Sequence, residues 1–307
     1  MDTADRLSAS RAVPPASPTD DATYARLRFP LGPRELTTRV QEALAEDHAY
    51  DDITTIATVQ SDRRARARLV ARQSGVLSGV PFAIAAFRSL DEKSAIRVEA
   101  EDGTHVRKGD PVLLISGHAR GILSAERVAL NFLQKLSGIA TLTRKYNEAV
   151  AGTGARILDT RKTTPGWRSL EKYAVRCGGG TNHRMDLASS VLVKDNHLAS
   201  VEGDVARAVK RGRELAGPGA TVEVECDRVE QVQAAVEAGA DIILLDNMSP
   251  ERMAECVTLV AGRARLEASG GVTLDTVRQI AASGVDFVSV GALTHSAPAM
   301  NLALDFE

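Results

Sequence analysis

The alternation of apolar and polar residues changes partway along the chain. In the first part, "PRELTTRVQEALAED" places Leu36, Val40 and Leu44 on one face and predicts a helix, whereas "RARARLVARQ" alternates with the period of a strand. "GVPFAIAAFRSL" predicts a second helix, and "IRVEAEDGTHVRKGDPVLLISG" predicts strands around an Asp-Gly turn. One or two long helices follow in "LSAERVALNFLQKLSGIATLTRKYNEAV", with Ser124 as the predicted N-cap. This mixture predicts an α+β N-terminal domain over residues 26–135.

After residue 154, short apolar runs alternate with helical segments. Six such runs are present: "ARILDT", "SSVLVKD", "TVEVECD", "DIILLDN", "ARLEASGG" and "DFVSVGA". Strands that alternate with helices are typical of parallel β/α units. Ser249 as N-cap, with Pro250 at the first helical position, marks the start of one intervening helix. We therefore expect an α/β domain over residues 136–292, and we expect the last segment, residues 293–307, to pack back on the N-terminal domain.

Polar or glycine-containing groups follow five of the six predicted strands. They are Asp159 to Lys162, Lys194 to Asn196, Glu225 to Asp227, Asp246 with Asn247, and Ser269 to Gly271. A closed barrel places one such set per strand around its C-terminal mouth. An open doubly wound sheet would concentrate them at one switch point instead. The distribution predicts a six-strand α/β barrel.

Composition narrows the class of protein. The chain has 307 residues, 44% of them hydrophobic and 25% charged, with a formal net charge of −2, so it carries no general basic field for nucleic acid or membranes. Cys177, Cys226 and Cys256 are far apart and predict neither a disulfide framework nor a zinc site. No apolar run reaches the roughly 18 residues of a membrane span, and the N-terminus lacks a signal-peptide pattern, so we expect a cytoplasmic protein. Residues 1–25, rich in Ser, Ala, Pro and Asp, predict a disordered tail.

Positive charge is concentrated between residues 159 and 197. This segment holds nine Lys, Arg or His residues against four acidic residues. Arg suits planar carboxylates and Lys acts as a point charge on phosphate, so the segment predicts an anion site. Any one of them could instead be an ordinary surface residue that binds no ligand. This alternative is weakest for Arg161, Lys162 and Lys194, because they lie directly at strand ends. The three glycines at residues 178–180 would let the backbone approach a ligand closely or move as a lid.

Two carboxylates, Glu225 and Asp246, end predicted strands within this cationic region. They could simply pair with the cations and be structural. However, Mg²⁺ bound to a diphosphate needs one or two protein carboxylates, often through water. Residues 269–271 and 290–292 add hydroxyl and backbone N–H groups near the last two strands, where barrels usually bind phosphate. The combination predicts a site for a phosphorylated sugar and an acidic co-substrate.

Long stretches of the chain resemble one enzyme family. "ILDTRKTTPGWRSLEKYAVRCGGGTNHRMDL", "VLVKDNHL", "VEVECD", "IILLDNM", "LEASGGV" and "VDFVSVGALTHSAPAMNLALDF" are similar to quinolinate phosphoribosyltransferases, also called carboxylating nicotinate-nucleotide pyrophosphorylases. The resemblance runs from about residue 34 to the end. Asp51, in "EDHAYDDITT", stands where the family more often has Gly, which leaves the geometry of that turn open.

The resemblance implies a reaction and a set of site residues. The reaction is transfer from phosphoribosyl pyrophosphate to quinolinate with Mg²⁺, which yields nicotinate mononucleotide, pyrophosphate and CO₂ for NAD biosynthesis. The implied fold is an α/β N-terminal domain joined to an incomplete barrel, with a homodimer as the basic unit. The implied quinolinate contacts are Arg127 of the partner subunit with Thr160, Arg161, His183, Arg184 and Lys194. The implied phosphoribosyl pyrophosphate contacts are Lys162, Lys194, Glu225, Asp246, Ser269, Gly270, Gly271, Val290, Gly291 and Ala292. Lys162, Glu225 and Asp246 are the implied catalytic residues, and the two carboxylates are expected to hold Mg²⁺ through water.

Two alternatives stay open. A related phosphoribosyltransferase could use another acceptor, either nicotinate or that of the molybdenum-transport-associated homologue, but the pair Arg161 and Arg184 favours a dianion. A non-catalytic barrel that only binds a phosphorylated ligand would be expected to lack Lys162, Glu225 or Asp246, and all three are present.

Overall fold

The computed structural model describes residues 27–217 and 219–306. The predicted tail over residues 1–25 lies outside the described residues. Among those described, no helix combines the length and the apolar composition that crossing a bilayer requires.

The first part of the chain forms a four-stranded antiparallel sheet with helices. The strand order is β12-β1-β5-β3, with β1 at Arg64–Ala71, β3 at Ala95–Val98, β5 at Pro111–His118 and β12 at Leu302–Phe306. A two-stranded sheet pairs β2 (Gly75–Val76) with β4 (His105–Val106). The helices here are α1 (Pro33–Glu46), α2 (Ile53–Thr58) and α3 (Val80–Leu90). The predicted helices and the predicted first strand are thus present. The chain's final strand, β12, pairs antiparallel with β1, with Leu304 opposite Leu69. The domain boundaries themselves stay predictions.

A single helix, α4 (Ala119–Ala149), connects this part to the rest of the chain. It begins five residues before Ser124, so the prediction of Ser124 as its N-cap is wrong. The first turn needs no polar cap because β5 leads directly into it, and the Ala119 N–H donates to the Arg63 carbonyl. Gly121 packs closely against Asp91: a Cβ on this glycine would lie 3.1 Å from the Asp91 Cβ atom. The Ser124 hydroxyl donates instead to the Asp52 carboxylate, at 2.9 Å.

The turn at Asp51 does not require glycine. Residues 49–51 form a short 3₁₀ turn, and the residue with left-handed backbone there is His48, at φ 50°. Asp51 is absent from the described residues with positive φ, so its side chain imposes no backbone strain.

All six predicted strands of the second part form, and they make one parallel sheet. They are β6 (Arg156–Leu158), β7 (Val191–Val193), β8 (Val222–Cys226), β9 (Ile242–Asp246), β10 (Arg265–Ser269) and β11 (Phe287–Ser289), in the order β6-β11-β10-β9-β8-β7. Apart from β6, each strand pairs with its neighbours in chain order. The order is therefore that of a single winding rather than a doubly wound sheet. The pairings in the described residues leave β6 and β7 as the two edges.

Helices cover the outer face of this sheet. They are α5 (Arg168–Cys177), α6 (Asp195–Ala199), α7 (Val205–Ala216), α8 (Val229–Glu237), α9 (Pro250–Val260), α10 (Val277–Ala282) and α11 (Ala292–His295). Ser249 caps α9 as predicted, accepting from the Arg252 N–H with Pro250 in the first turn. Val222, Val224 and Cys226 of β8 are fully buried in the apolar core. The alternate residues of β8, Glu223 and Glu225, therefore face the opposite, inner side of the sheet.

The two parts of the chain are packed together through aromatic rings. Phe82 of α3 stacks on Phe132 of α4, with 4.2 Å between ring centroids, and Phe132 stacks on Trp167 at 5.3 Å. Trp167 directly precedes α5, so this stack fixes the end of the loop that follows β6. That loop carries Arg161 and Lys162.

Candidate active site

The carboxyl ends of the parallel strands bring several predicted site residues together. Asp246 ends β9 and lies opposite Ser269, which ends β10. Lys194 directly follows β7, and its ammonium group forms an ion pair with Glu225 near the end of β8. These residues, which the sequence predicted at the ends of separate strands, thus lie together at the carboxyl ends of the parallel sheet.

Residues 269–271 form a turn in which both glycines have a positive φ. Gly270 has a φ of +97°, and a Cβ there would lie 2.1 Å from the Asn247 Oδ1 atom. Gly271 also has a positive φ, of +59°. Consecutive backbone N–H groups in such a turn are available to an anion. The close approach of Asn247 explains the glycine at 270 in physical terms.

Lys162 lies against the second predicted phosphate segment. A Cβ on Gly291 would lie 3.2 Å from the Lys162 Cδ atom, so the lysine stem crosses the backbone just after β11. Two bonds fix the lysine backbone: its N–H donates to Thr160 Oγ1 at 3.0 Å, and its carbonyl accepts from Thr294 Oγ1 at 2.7 Å. Thr294 is fully buried. Sequence analysis missed this threonine because nothing in "GALTH" signals a contact 132 residues away.

Arg161 and Arg184 form the cationic part of the site. The Nε atoms of both guanidinium groups are buried and make no hydrogen bond within the described residues. Burial, followed by the positive charge of Arg161, lowers the pKa of Arg184. One nitrogen of Arg184 does donate, to the Ser190 carbonyl at 3.0 Å. Two neighbouring guanidinium groups with unused donors form a site that an anion with more than one charge would stabilise.

A buried ion pair holds the segment that carries Arg184. Asp159, directly after β6, pairs with Lys172 of α5, and both side chains are almost fully buried. Burial outweighs the attraction of the partner and raises the pKa of Asp159. Asp159 accepts from the His183 N–H at 2.9 Å, and Lys172 donates to the His183 carbonyl at 2.9 Å. Lys172, one of the nine cations of the sequence analysis, is therefore structural and unavailable to a ligand.

The glycines at residues 178–180 are explained by packing. A Cβ on Gly178 would lie 2.3 Å from the Ala140 carbonyl of α4, and one on Gly180 would lie 2.7 Å from a methyl group of Val175. These contacts require glycine because backbone and core side chains cannot move aside. The expectation of a ligand-facing or lid-forming loop at these residues is not supported by this geometry.

His183 lies in a buried cluster that sequence analysis did not anticipate. Its Nε2 atom is 3.2 Å from Glu223 Oε2 and 3.6 Å from Glu267 Oε2, and the Glu side chains are only 3% and 1% exposed. Its Nδ1 atom accepts from the Arg184 backbone N–H at 2.8 Å. The available signal was a glutamate inside each of two apolar strands, "VEVEC" and "RLEAS".

Arg127 lies apart from these residues. It is exposed on α4, and no described bond connects it to the site of its own chain. The expected contact of Arg127 with the site of a partner subunit therefore stays a prediction.

The fold and the site together are those of an α/β enzyme whose cationic groups gather at the carboxyl ends of a parallel sheet. The chain belongs to the quinolinate phosphoribosyltransferase family: the model of the family's C-terminal domain matches residues 139–305, and that of its N-terminal domain matches residues 52–137. The family resemblance noted from the sequence is thereby confirmed.

Individual relatives agree with this assignment. The carboxylating nicotinate-nucleotide pyrophosphorylase of Mycobacterium leprae is 42% identical over 272 residues, which cover 87% of this chain and 95% of that protein. NadC from Streptococcus pyogenes superimposes with a TM-score of 0.85 at 40% identity, covering 90% of this chain and 99% of that one. The nicotinate-nucleotide pyrophosphorylase from Francisella tularensis has a TM-score of 0.86 at 39% identity, with 91% and 99% covered.

Proposed function

We propose that this chain transfers the phosphoribosyl group of phosphoribosyl pyrophosphate to quinolinate and releases CO₂, which gives nicotinate mononucleotide and pyrophosphate for NAD biosynthesis. The observation that carries the proposal is the pair Arg161 and Arg184, whose buried Nε donors have no partner in the described residues. Relatives across the chain's length carry the names nicotinate-nucleotide pyrophosphorylase and quinolinate phosphoribosyltransferase.

The acceptor is assigned to the cationic side of the site. Arg161, Arg184 and Lys194, with the Thr160 hydroxyl, are assigned to the two carboxylates of a pyridine dicarboxylate. Each charge-assisted hydrogen bond contributes about 1.5–3 kcal/mol, and an unpartnered buried charge costs a similar amount. Nicotinate, a monoanion, would leave one guanidinium group without its carboxylate. The second carboxylate therefore decides acceptor choice.

The phosphoribosyl donor is assigned to the neighbouring strand ends, where Glu225 contacts Lys194. Lys162 and the turns at residues 269–271 and 290–292 offer charge and N–H groups to phosphate oxygens. Glu225 and Asp246 fit a hydrated Mg²⁺, since both are oxygen ligands at the ends of adjacent strands. When bound with the diphosphate, Mg²⁺ would neutralise charge on the leaving pyrophosphate.

The residues present suit the charges that develop in the reaction. Breaking the bond between C1 of ribose and pyrophosphate leaves positive charge on the ribose and negative charge on the leaving group. Glu225 and Asp246 face the first and Lys162 the second. Once its nitrogen is alkylated, the pyridinium ring accepts the electron pair of the adjacent carboxylate bond. CO₂ then leaves, and C2 takes up a proton.

The curvature that this site needs implies an incomplete barrel. Glu223 and Glu267 come from β8 and β10, with β9 between them, yet both approach one imidazole nitrogen. Side chains from alternate strands meet in the interior of barrels. This convergence supports a sheet curled toward closure with a gap between β6 and β7.

Product analysis tests the reaction directly. Purified protein is incubated with Mg²⁺, phosphoribosyl pyrophosphate and either quinolinate or nicotinate, and nucleotide and CO₂ are quantified. We expect one CO₂ per nucleotide from quinolinate, and a kcat/KM about 10- to 100-fold lower with nicotinate, the scale of one lost charge-assisted contact. Equal use of both acceptors would favour a nicotinate enzyme. If neither acceptor gave any nucleotide product, a barrel that only binds a ligand would be favoured.

We also propose a homodimer in which each subunit contributes Arg127 to the other's site, as the family resemblance implies. The exposure of Arg127 and its separation from its own site are compatible with this arrangement. Arg127→Ala and Lys162→Ala would then each be inactive, while a mixture after subunit exchange contains dimers with one intact site. Random pairing at equal amounts gives about a quarter of wild-type activity. No recovery after exchange verified by native mass spectrometry would refute the shared site.

A further inference from the structure

The buried cluster of His183, Glu223 and Glu267 adjoins the Arg184 backbone, and its two glutamates have no role in the chemistry above. Its ligand atoms lie within 4.8 Å of one another. Three carboxylate oxygens, Glu223 Oε1 and both of Glu267, are buried without a hydrogen-bond partner in the described residues. Ionised carboxylates this deeply buried require a counter-charge or a proton. The question is which one this cluster holds.

The hydrogen bonds of His183 specify its protonation. Because Nδ1 accepts from the Arg184 N–H at 2.8 Å, the imidazole proton must sit on Nε2, where it is donated to Glu223 at 3.2 Å. Burial opposes an imidazolium, although the hydrogen bond to Glu223 and the charge of Glu267 raise the pKa of His183. The Nδ1 contact decides between these effects, since a proton on Nδ1 would face the Arg184 N–H. The neutral imidazole has both nitrogens occupied.

The same contact argues against a metal ion in the cluster. A metal bound at Nε2 would move the proton of a neutral imidazole to Nδ1, against the Arg184 N–H. Lys172 and the Arg161–Arg184 pair add positive charge nearby. A proton is the remaining way to relieve repulsion between the two carboxylates. Burial, followed by the charge of Glu223, raises the pKa of Glu267 to about 7.

We propose that Glu223 and His183 form a positioning chain for Arg184: Glu223 fixes the imidazole, and the imidazole fixes the Arg184 backbone. Neutral Glu267 fills the space beside them without competing for the imidazole proton. The inference rests on the proposed function for the identity of the acceptor.

Equilibrium binding to variants tests whether Glu223 positions Arg184 through His183. We expect Glu223→Leu to weaken quinolinate binding about 10- to 100-fold, the scale of one charge-assisted contact, with phosphoribosyl pyrophosphate binding changed less than about twofold. Glu223→Gln keeps an oxygen that accepts the Nε2 proton, so it should restore most of the affinity. Asp102→Asn is the control, because Asp102 is a hydrogen-bonded carboxyl that accepts from the Val80 N–H and the Tyr173 hydroxyl, away from the site. It should leave quinolinate affinity unchanged.

A double-mutant cycle shows whether Glu223 acts through His183 or the two residues act independently. If Glu223 acts through His183, then Glu223→Leu adds no further loss in a His183→Leu background. Multiplicative losses would overturn the proposal, as would wild-type quinolinate affinity in folded Glu223→Leu. The outcome is read from binding alone, so it is independent of turnover.

The tautomer of His183 gives a test on the unmodified protein. Nitrogen-15 NMR of histidine-labelled wild type at pH 6, below the pKa of Glu267, with His183→Leu to assign the signal, should show a protonated Nε2 and an unprotonated Nδ1. A protonated Nδ1 would refute the chain even if Glu223→Leu failed to fold. If wild-type protein shows the expected tautomer but does not bind quinolinate, the proposed function fails while the hydrogen-bonded chain stands.

Discussion

Strands β1 and β8 carry the same alternation of charged and apolar residues. In β1, Arg64, Arg66 and Arg68 are exposed on one face of the antiparallel sheet, and the alanines between them are buried. In β8, the apolar positions again face the core, but the glutamates point to the inner side of the parallel sheet, where Glu223 is only 2% exposed. The period of a strand identifies two faces. Whether the polar face meets water or the interior of a curved sheet depends on the other strands.

The inner face of the parallel sheet should therefore respond to charge removal far more strongly than the open face of the antiparallel sheet. We expect the largest effect at the strand ends. Glu225→Gln and Asp246→Asn should each lower kcat by about 10²-fold, the usual cost of one electrostatic stabiliser. Asp305→Asn on β12, which only loses the ion pair with Arg72, is the control and should retain wild-type kcat. Unchanged turnover for both strand-end variants at saturating Mg²⁺ would remove these carboxylates from the mechanism.

Deeper on the same face, the effect should appear in stability. The folded state raises the pKa of Glu267 from 4.5 to about 7. It therefore binds a proton more tightly than the unfolded state, and the stability that this carboxyl contributes to wild type should fall as the pH rises from about 4.5 to about 7. Glu267→Gln cannot ionise, so its advantage over wild type should grow by roughly 3 kcal/mol across that window and then level off.

Urea unfolding at pH 5 and pH 8 measures this difference. Glu99→Gln, which changes a carboxyl in the N-terminal part that pairs with Arg97, provides the comparison and should show no comparable growth. The same stability difference for Glu267→Gln at both pH values would mean that the buried carboxyl titrates normally.

A smaller effect is expected at Thr294, which touches only the backbone of a site residue. Thr294→Val removes the bond to the Lys162 carbonyl and should lower kcat/KM about fivefold, since a neutral hydrogen bond contributes about 1 kcal/mol. Thr294→Ser keeps the donor and should stay within about twofold of wild type. If both variants behaved alike, the hydroxyl would have no part in holding the lysine.

The comparison of strands also explains how much the sequence could reveal. The six parallel strands, the helices between them and the α9 cap were predicted because local periodicity and capping residues carry that information. Glu225, Asp246 and Lys194 were found because strand ends can be located from the same periodicity. The start of α4 was missed because burial of its first turn against Asp91 replaces a polar cap.

The inner face could not be predicted from local pattern. Lys172 looked like a ligand-binding cation until its pairing with Asp159, 13 residues away, placed it in the core. The glycines at residues 178–180 looked functional until α4 was found packed against them. Glu223 and Glu267 are interpretable only after β8 and β10 are known to converge on His183. Each of these assignments depends on a contact between distant segments.

The central claim is that acid recognition belongs to the inner face of the parallel sheet, and that Arg184 provides it. The direct test is calorimetry of quinolinate and of phosphoribosyl pyrophosphate with Arg184→Ala and with Arg97→Ala, whose side chain is 73% exposed on β3. We predict that Arg184→Ala weakens quinolinate binding about 10- to 100-fold with little change for phosphoribosyl pyrophosphate, and that Arg97→Ala changes neither. Equal weakening of both ligands by Arg184→Ala, or none at all, would contradict the account.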